Sequence, residues 1–376
     1  MRTPSQRCIS ASAGSVSARH HAARCRRSAP LRRPLSVPRK DVDEAAYGDD
    51  SPVSTLPVSS SCLHIQRQIM ISRGWKLKVE EMWEPILSAL LQVGRILWDA
   101  LVVISITAAV FVTLALIIKG RRAFEEARRA AKEMRINLAM HGFDLLLVAP
   151  WVTALIIGMA HTVDLVGLRI LQPEQWDLLP HVVVAFAAVF AGDFIGYWRH
   201  RLEHTRLLWP SHAIHHSDTE MSWLTLLRFH PINRLSTLID FAVLLILGFP
   251  EYALVVSVFV RHNYGFLIHA DLPWTYGKWG YVFVSPVMHQ WHHARDPAAY
   301  SSNFATVFSI IDWAFGTFRV PGPRNVPLGV DADMGDGFLG QLKHPFRLSS
   351  YSTTTGGGEL GTPEPLSSSR FGFRER

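Results

Sequence analysis

Long apolar stretches divide the chain after its first hundred residues. Ala100–Ile118 is 19 residues without a charge, which is long enough for a helix to cross a bilayer. Leu145–Val163 is a second stretch, interrupted only by Pro150 and His161, and Leu178–Trp198 is a third with one aspartate near its end. Because core helices of soluble proteins rarely stay uncharged for so long, the pattern predicts an all-α integral membrane protein.

A fourth apolar region, Leu235–Ala270, is broken at Gly248–Glu251. Its first arm, Leu235–Phe249, gives ~22 Å of helix, which is short of a hydrocarbon core of ~30 Å. We expect a helical hairpin here, either two tilted spans or a shallow re-entrant pair. The apolar pattern therefore predicts three spans and this helical hairpin.

The charges between the apolar stretches predict sidedness. Lys119–Met140 carries seven basic residues, whereas Thr162–Asp177 carries one basic and three acidic residues. Lysine and arginine favour the cytoplasmic side, so Lys119–Met140 is predicted to be cytoplasmic. The third span then returns the chain to the cytoplasm just before His200. The basic N-terminal segment would lie outside, against the rule, unless its length overrides it or Ile86–Ile96 lies in the interface.

Composition separates this core from the two ends of the chain. The first 40 residues hold ten Arg or Lys, seven Ser and no acidic residue, which resembles a transit peptide. We favour two plainer alternatives, a disordered basic tail or translation that starts at Met70 or Met82. We expect four parts: a disordered or targeting-like segment 1–75, the first span with a charged amphipathic helix 76–139, a membrane catalytic domain 140–345, and a disordered tail 346–376.

The net charge of +7 lies largely in tails and loops, and no nucleic-acid-binding motif accompanies it. We therefore expect no nucleic-acid partner. The three cysteines, Cys8, Cys25 and Cys62, all precede the apolar region. A metal site in the main domain must therefore use histidines or carboxylates.

Eleven of the 18 histidines lie between His200 and His293. Positions i, i+3 and i+4 share a helix face, and adjacent histidines diverge by about 100°, so that each can serve a different metal. Eight imidazoles suffice for two ions with open positions for oxygen or water. The candidate ligands form one H-x-x-x-H and two H-x-x-H-H clusters: His200 and His204; His212, His215 and His216; His289, His292 and His293.

The ligand type narrows the metal and the function. All-imidazole sites suit Fe, Zn, Cu or Ni, and the Glu-x-x-His pattern of carboxylate di-metal bundles is absent. A zinc hydrolase would need a general base, and the one obvious candidate, Glu203, is turned off the ligand face. A metal transporter or histidine-rich sensor is the non-catalytic alternative, but transporter sites usually lie at the midplane between repeated halves. We favour oxygen activation.

Other polar residues are candidates for supporting the site or contacting substrate. Asp193 and Tyr197 share one helical stripe with His200 and His204, so Asp193 is predicted to accept the N–H of a ligand histidine. The alternative for Asp193 is an aspartate at the membrane interface. Four further candidates complete the set: His269 as a ninth ligand, and His230, His262 and Asn303 as supporting or substrate-contacting residues.

These motifs resemble the fatty acid hydroxylase/sterol desaturase superfamily over residues 140–345. The similar elements are D-x-x-x-Y-W-x-H-R-x-x-H at 193–204, H-H-S at 215–217, R-x-H-P at 228–231, the segment around His269 at 266–271, and closing segments at 303–304 and 312–317. Two positions depart from the family pattern, where Asn233 replaces a frequent Glu and Asp271 replaces Asn.

The resemblance implies an all-α membrane fold of about four transmembrane helices, arranged as hairpins, with a cytosolic histidine-rich helical cap that holds a di-metal site. It also implies that this site is a di-iron centre for O2-dependent hydroxylation or desaturation of a lipid or sterol-like substrate, with zinc as a substitute metal. Because the chain has no Gly-rich dinucleotide fingerprint and no haem-attachment motif, electrons must come from an external reductase, cytochrome b5-like or ferredoxin-like. The lipid is expected to enter laterally between the spans.

Overall fold

The computed structural model describes residues 60–335 and 337–351, with side chains from Trp83 onward. The chain divides into two units, Met1–Trp75 and Lys76–Arg376, and the description below concerns the second. Every named secondary-structure element in the described residues is a helix, which confirms the predicted all-α class. The α-helices are α1 Ser60–Lys119, α2 Arg122–Phe143, α3 Ala149–Val166, α4 His181–Glu203, α5 Trp209–His216, α6 Pro231–Ser236, α7 Leu238–Ile246, α8 Glu251–His269, α9 Pro286–His292, α10 Ser309–Ala314 and α11 Gly337–Lys343.

Three helical stretches in the described residues are long and apolar enough to cross a membrane: Trp83–Lys119, Arg122–Val166 and His181–Glu203. The first two contain the predicted stretches Ala100–Ile118 and Leu145–Val163, and the third covers the predicted stretch Leu178–Trp198 from His181 onward. Leucine, isoleucine and valine side chains along the first stretch, such as Ile106 and Val110, remain exposed, as expected for a helix that contacts lipid. The three spans make this a membrane protein by length and composition.

The second candidate span is one helical rod with a local widening. A π-helical turn, Asp144–Val148, joins α2 to α3. Pro150 follows at the start of α3, and because proline has no amide hydrogen, the regular α-helical bonding is interrupted at this point. Gly167, at φ +67°, ends the rod in the left-handed conformation that favours glycine at a helix C-terminus.

The predicted helical hairpin is present as α7 and α8. With nine residues α7 extends ~14 Å and with 19 residues α8 extends ~28 Å, and neither is among the candidate spans. The turn between them requires glycine, because a Cβ on Gly248 would lie 1.7 Å from the carbonyl oxygen of Leu171. The count of about four spans remains a prediction.

Helix α8 packs along α4 and brings the hairpin against the third span. The Ser257 hydroxyl donates to the Ala188 carbonyl at 2.9 Å. A Cβ on Gly196 would lie 2.1 Å from the guanidinium of Arg261, so this small residue makes room for a buried charge. The packing sets the last turns of α4 and α8, which carry histidines, side by side.

Regular structure is present on both sides of the two predicted outer boundaries, and the division of the chain into four parts stays a prediction. Residues 1–59 and 352–376 lie outside the described residues, so the predictions for these ends stay predictions. Helix α1 already begins at Ser60, and Leu348–Tyr351 forms a 3-10 helix. Regular structure therefore extends beyond the predicted boundaries at 75 and 346.

Candidate metal centre

Nine buried or half-buried histidines converge into two adjacent groups. Within each group, one candidate ligand atom per residue lies within 4.8 Å of all the others. The first group is His200, His204, His212, His216 and His292, and the second group is His215, His269, His289 and His293. All eight motif histidines and the candidate ninth, His269, are thus brought together.

Four separate elements deliver these side chains. The end of α4 carries the H-x-x-x-H motif, α5 and α9 carry the two H-x-x-H-H motifs, and α8 ends at His269. The adjacent pairs divide between the groups, so that His216 and His292 join the first while His215 and His293 join the second. This division follows from the ~100° step between neighbouring residues of a helix.

The ring nitrogens face one another in a way that calls for a cation. His200 Nδ1 donates to the Phe304 carbonyl at 2.8 Å, and His292 Nδ1 donates to the Ser302 carbonyl at 2.7 Å. In a neutral imidazole the other nitrogen then carries a lone pair. Nonetheless His292 Nε2 and His200 Nε2 lie only 3.0 Å apart. Two lone pairs at this distance repel each other unless a metal ion lies between them, so the donor set fits a metal.

The second group repeats this arrangement. His269 Nδ1 lies 2.7 Å from the Gly265 carbonyl, while its Nε2 is 3.1 Å from His215 Nε2 and 3.0 Å from His289 Nε2. Neither ring nitrogen of His293 has a hydrogen-bond partner among the described residues, although both are buried. A buried imidazole without a partner is costly, and metal ligation removes that cost.

A single loop orients three rings of the first group. The carbonyls of Tyr300, Ser302 and Phe304, every second residue of the loop, accept the Nδ1–H of His204, His292 and His200 at 2.8, 2.7 and 2.8 Å. Such bonds fix the tautomer and aim Nε2 at the metal position. Sequence reasoning missed this loop, because backbone carbonyls leave no signature in side-chain spacing.

Asn303 shapes the loop rather than contacting a histidine. Its φ of +62° is left-handed, and its side-chain amide donates to the carbonyls of Met288 and Arg319 at 2.9 and 2.7 Å. Asp312 accepts the backbone N–H groups of Phe304 and the following residue at 2.7 and 2.9 Å. Burial raises the pKa of Asp312 to about 7.

The predicted hydrogen bond from Asp193 to a ligand histidine is not formed. Its carboxylate instead accepts the backbone N–H groups of Thr306, Val307 and Phe308 at 3.0, 2.9 and 2.7 Å. The helical stripe was read correctly, but the loop after Phe304 lies between Asp193 and the rings. On the same stripe, the Tyr197 hydroxyl lies 3.0 Å from the Thr317 hydroxyl, and so it also supports the loop region.

His230 and His262 lie outside both groups. His230 caps α6, since its Nδ1 accepts the Ile232 N–H at 3.2 Å, and its Nε2 lies 3.2 Å from the Leu342 carbonyl. Burial lowers the pKa of His230 to about 4. The exposed His262 packs its ring edge against Phe266 at 4.7 Å.

Glu203 lies beside a candidate ligand histidine, His212, a contact that its position in the sequence did not predict. It lies one residue before His204 and off that histidine's face, yet α5 folds back so that His212 Nδ1 is 3.3 Å from the Glu203 carboxylate. Asn233 Oδ1 lies at the same distance from this nitrogen. Arg199 Nη1, four residues earlier on α4, donates to Glu203 at 2.6 Å, and this i,i+4 pair was the available sequence signal.

Alternating charges link Glu203 to the membrane helices. Arg199 Nε also donates to Asp240 on α7 at 2.8 Å, and Arg261 on α8 donates to the same carboxylate at 3.0 Å. Each buried charge thus has an opposite partner, as burial requires. The chain of ion pairs connects α4, α7 and α8 to His212.

The histidines are held in the form that binds metal. Burial, followed by the neighbouring histidines, lowers the pKa of His212 to about 3, and the same causes hold the pKa of His289 and His293 well below the ordinary value. The rings are therefore neutral at neutral pH. Metal ligation needs neutral imidazoles.

Residues 185–317 match the family model described as fatty acid hydroxylase. This part of the chain is similar to the fatty acid hydroxylase family. The matched region contains all nine histidines of the two groups. It also covers most of the third candidate span, the hairpin and the loop of carbonyls. The family resemblance expected from the motifs is confirmed.

Curated relatives of the chain are enzymes of lipids and sterols by name. The chain is 32% identical to the ornithine lipid hydroxylase of Rhizobium tropici, over 46% of this chain and 53% of the relative. It is 33% identical to the alkylglycerol monooxygenase of Danio rerio, over 43% of this chain and 35% of the relative. It is 27% identical to a methylsterol monooxygenase of Arabidopsis thaliana, over 42% of this chain and 54% of the relative.

The chain thus spans only about a third to a half of these relatives' lengths. No solved structure matches the chain.

Proposed function

We propose that the chain is a membrane di-iron oxygenase that uses O2 to hydroxylate, or desaturate, a lipid or sterol-like substrate. The observation that carries the proposal is the pair of adjacent histidine groups, whose bare ring nitrogens face one another in a buried site. The names of the relatives, which include a lipid hydroxylase and a methylsterol monooxygenase, support the same chemistry.

In this proposal each histidine group holds one iron ion. The first offers five imidazoles and the second offers four, and the all-nitrogen donor set suits iron, with zinc as a substitute. The iron pair would supply the redox chemistry that activates O2. The chain's own residues orient the rings through backbone carbonyls and exclude bulk water, because most of these side chains are fully buried.

The electron donor and the sidedness are part of the same proposal. An external reductase, cytochrome b5-like or ferredoxin-like, delivers electrons at the cytoplasmic face of a multi-pass protein. The basic surface of α2, which includes the exposed Arg128 and Arg129, supports a cytoplasmic position for the adjoining site.

The alternatives have less support. A metal-dependent hydrolase needs a free carboxylate base, but Glu203 is bonded to Arg199 and Ser236 and lies against His212. A transporter or sensor has no support among the relatives, whose names describe enzymes that act on lipids and sterols.

The test is incorporation of labelled oxygen. Cells that express the full chain, a His215→Ala variant, or the control His262→Ala are grown under ¹⁸O2, and their lipids are analysed by mass spectrometry. We expect an ¹⁸O-labelled lipid with the wild type and with His262→Ala, whose exposed ring lies outside both groups, but none with His215→Ala. Label in all three strains, or in none, would contradict a hydroxylase. A desaturase would instead show a loss of two hydrogens, with the same dependence on His215.

A further inference from the structure

An amphipathic cleft lies between the end of the first span and the segment that follows α8. One cavity of about 560 Å³ is lined on its apolar side by Phe111, Ala115 and Leu116 of α1 and by Trp223. The rings of Phe111 and Trp223 stack at 5.9 Å. From Phe111 to Lys119 the helix rises ~12 Å, so this apolar wall can accommodate part of a hydrocarbon tail.

The cleft becomes polar where α1 ends. Lys119 Nζ lies 2.6 Å from the carboxylates of both Glu126 and Asp271. A second cavity of about 650 Å³ opens here and shares Lys119, Glu126, Asp271 and Arg324 with the first. The two cavities form one cleft that has an apolar end within the membrane span and a polar end at its edge.

The polar end carries charges of both signs. The two cavities together are lined by four basic residues, Lys119, Arg122, Arg129 and Arg324, and three acidic residues, Glu126, Glu220 and Asp271. Lys119 is occupied by two carboxylates, whereas the Arg324 Nε has no hydrogen-bond partner among the described residues. A ligand anion can therefore pair with Arg324, and a ligand cation can pair with the excess carboxylate charge around Lys119.

We propose that this cleft binds an amphiphile with a zwitterionic headgroup, its tail along α1 and its anionic and cationic groups near Arg324 and Glu126. That the bound amphiphile is the substrate rests on the proposed function. The binding site itself does not, since it follows from the cavity and its charges.

The polar end adjoins the second histidine group. Asp271 follows His269 by two residues, and Gln290, which lines the second cavity, is the neighbour of His289. The Gln290 side-chain amide donates to the Leu272 carbonyl at 3.0 Å and joins the two walls. The headgroup end of the amphiphile, rather than the far end of its tail, therefore lies beside this group.

Most residues that line the cleft lie outside the region that matches the family model. Phe111, Lys119, Glu126 and Arg324 all lie outside residues 185–317. Headgroup selectivity is therefore a property that the match to the family model does not carry.

The test compares three amphiphiles with the same sixteen-carbon tail on the purified full chain in maltoside micelles. Native mass spectrometry measures binding of hexadecylphosphocholine, hexadecyl phosphate and hexadecyltrimethylammonium. We expect the zwitterionic probe to bind about tenfold tighter than either the anionic or the cationic probe, the equivalent of one charge-assisted hydrogen bond. Arg324→Ala should remove the advantage over the cationic probe, and Glu126→Gln should reduce the advantage over the anionic probe.

Matched controls separate a specific site from general lipid adhesion. Arg169→Ala removes an arginine from the loop after α3, and Glu125→Gln changes the exposed neighbour of Glu126; both should keep the tenfold preference. Equal binding of the three probes, or a preference that survives both cleft substitutions, would overturn the site. Binding needs no turnover, so a chain that shows headgroup preference but inserts no oxygen keeps the site and loses the proposed function.

Discussion

The two histidine groups differ in how firmly the protein holds them. In the first, His200, His204 and His292 are bonded to carbonyls of one loop, and His212 lies against Glu203 and Asn233. In the second, only His269 has a partner for its Nδ1, the Gly265 carbonyl. The Nδ1 atoms of His215, His289 and His293 have no partner among the described residues.

We infer from this contrast that the two groups differ in how tightly they hold metal and in how near they lie to the substrate. Rings fixed by hydrogen bonds are preorganised and bind metal tightly, so the first group should hold its ion against competition. The second group has fewer rings, weaker support and a position beside the cleft. We infer that it is the more adaptable half and the half nearer the substrate.

The largest effect is expected from removal of a ligand from the weaker group. His269→Ala leaves three imidazoles in the second group, and turnover should be abolished because the proposed chemistry uses an ion in each group. The measurement is the amount of oxygen-labelled lipid, with His262→Ala, two turns earlier on α8, as the control. Activity retained in His269→Ala would remove this residue from the metal centre.

A smaller effect should follow from loosening one ring of the stronger group. Glu203→Ala removes the carboxylate beside His212 and should weaken metal retention by about 10- to 100-fold, the usual cost of losing a partner of a ligand. Competition with a chelator measures it, and Glu203→Gln should recover part of the loss because the amide oxygen still accepts a hydrogen bond.

The control for this prediction is Glu174→Ala, which removes an exposed carboxylate far from α5 along the chain. If Glu203→Ala retains metal as firmly as Glu174→Ala does, then the support of His212 by Glu203 is not what distinguishes the two groups.

The loop can be weakened without touching a histidine. Asn303→Ala removes three hydrogen bonds to Met288 and Arg319. It also puts alanine at a positive φ, which alanine adopts less readily than asparagine, so the free energy of unfolding should fall by about 2–4 kcal/mol. Thermal unfolding measures it. Asn303→Gly should be less harmful because glycine tolerates this φ, and equal losses in both variants would assign the effect to the hydrogen bonds alone.

The smallest effect concerns pH and a histidine outside both groups. The pKa of His230 is lowered to about 4 from its ordinary 6.5, so the unfolded chain takes up a proton first as the pH falls. Stability should be unaffected above pH 6.5 and should decline between 6.5 and 4. His230→Asn, which can still cap α6, should lessen that decline in thermal unfolding measured across the range.

The sequence predicted the fold class and the ligands better than it predicted their support. Apolar length and the helical spacing of histidines depend only on local geometry, so the spans and the division of His215 and His216 between two groups could be anticipated. The partners of the rings could not, because the carbonyls of Tyr300 and Phe304 approach only after the chain folds back. Asp193 is an example. The sequence predicted the helix face on which it lies, but its hydrogen-bond partners are backbone amides rather than a histidine ring.

The most direct test of the central claim is to count metal ions in the purified full chain and in one variant of each group. We predict two iron ions per wild-type chain, with magnetic coupling between them. His215→Ala should lose the ion of the second group and keep the ion of the first group tightly bound. His292→Ala should weaken the binding of the ion in the first group. One ion in the wild type, or equal loss of both ions from either variant, would contradict two distinct sites of unequal strength.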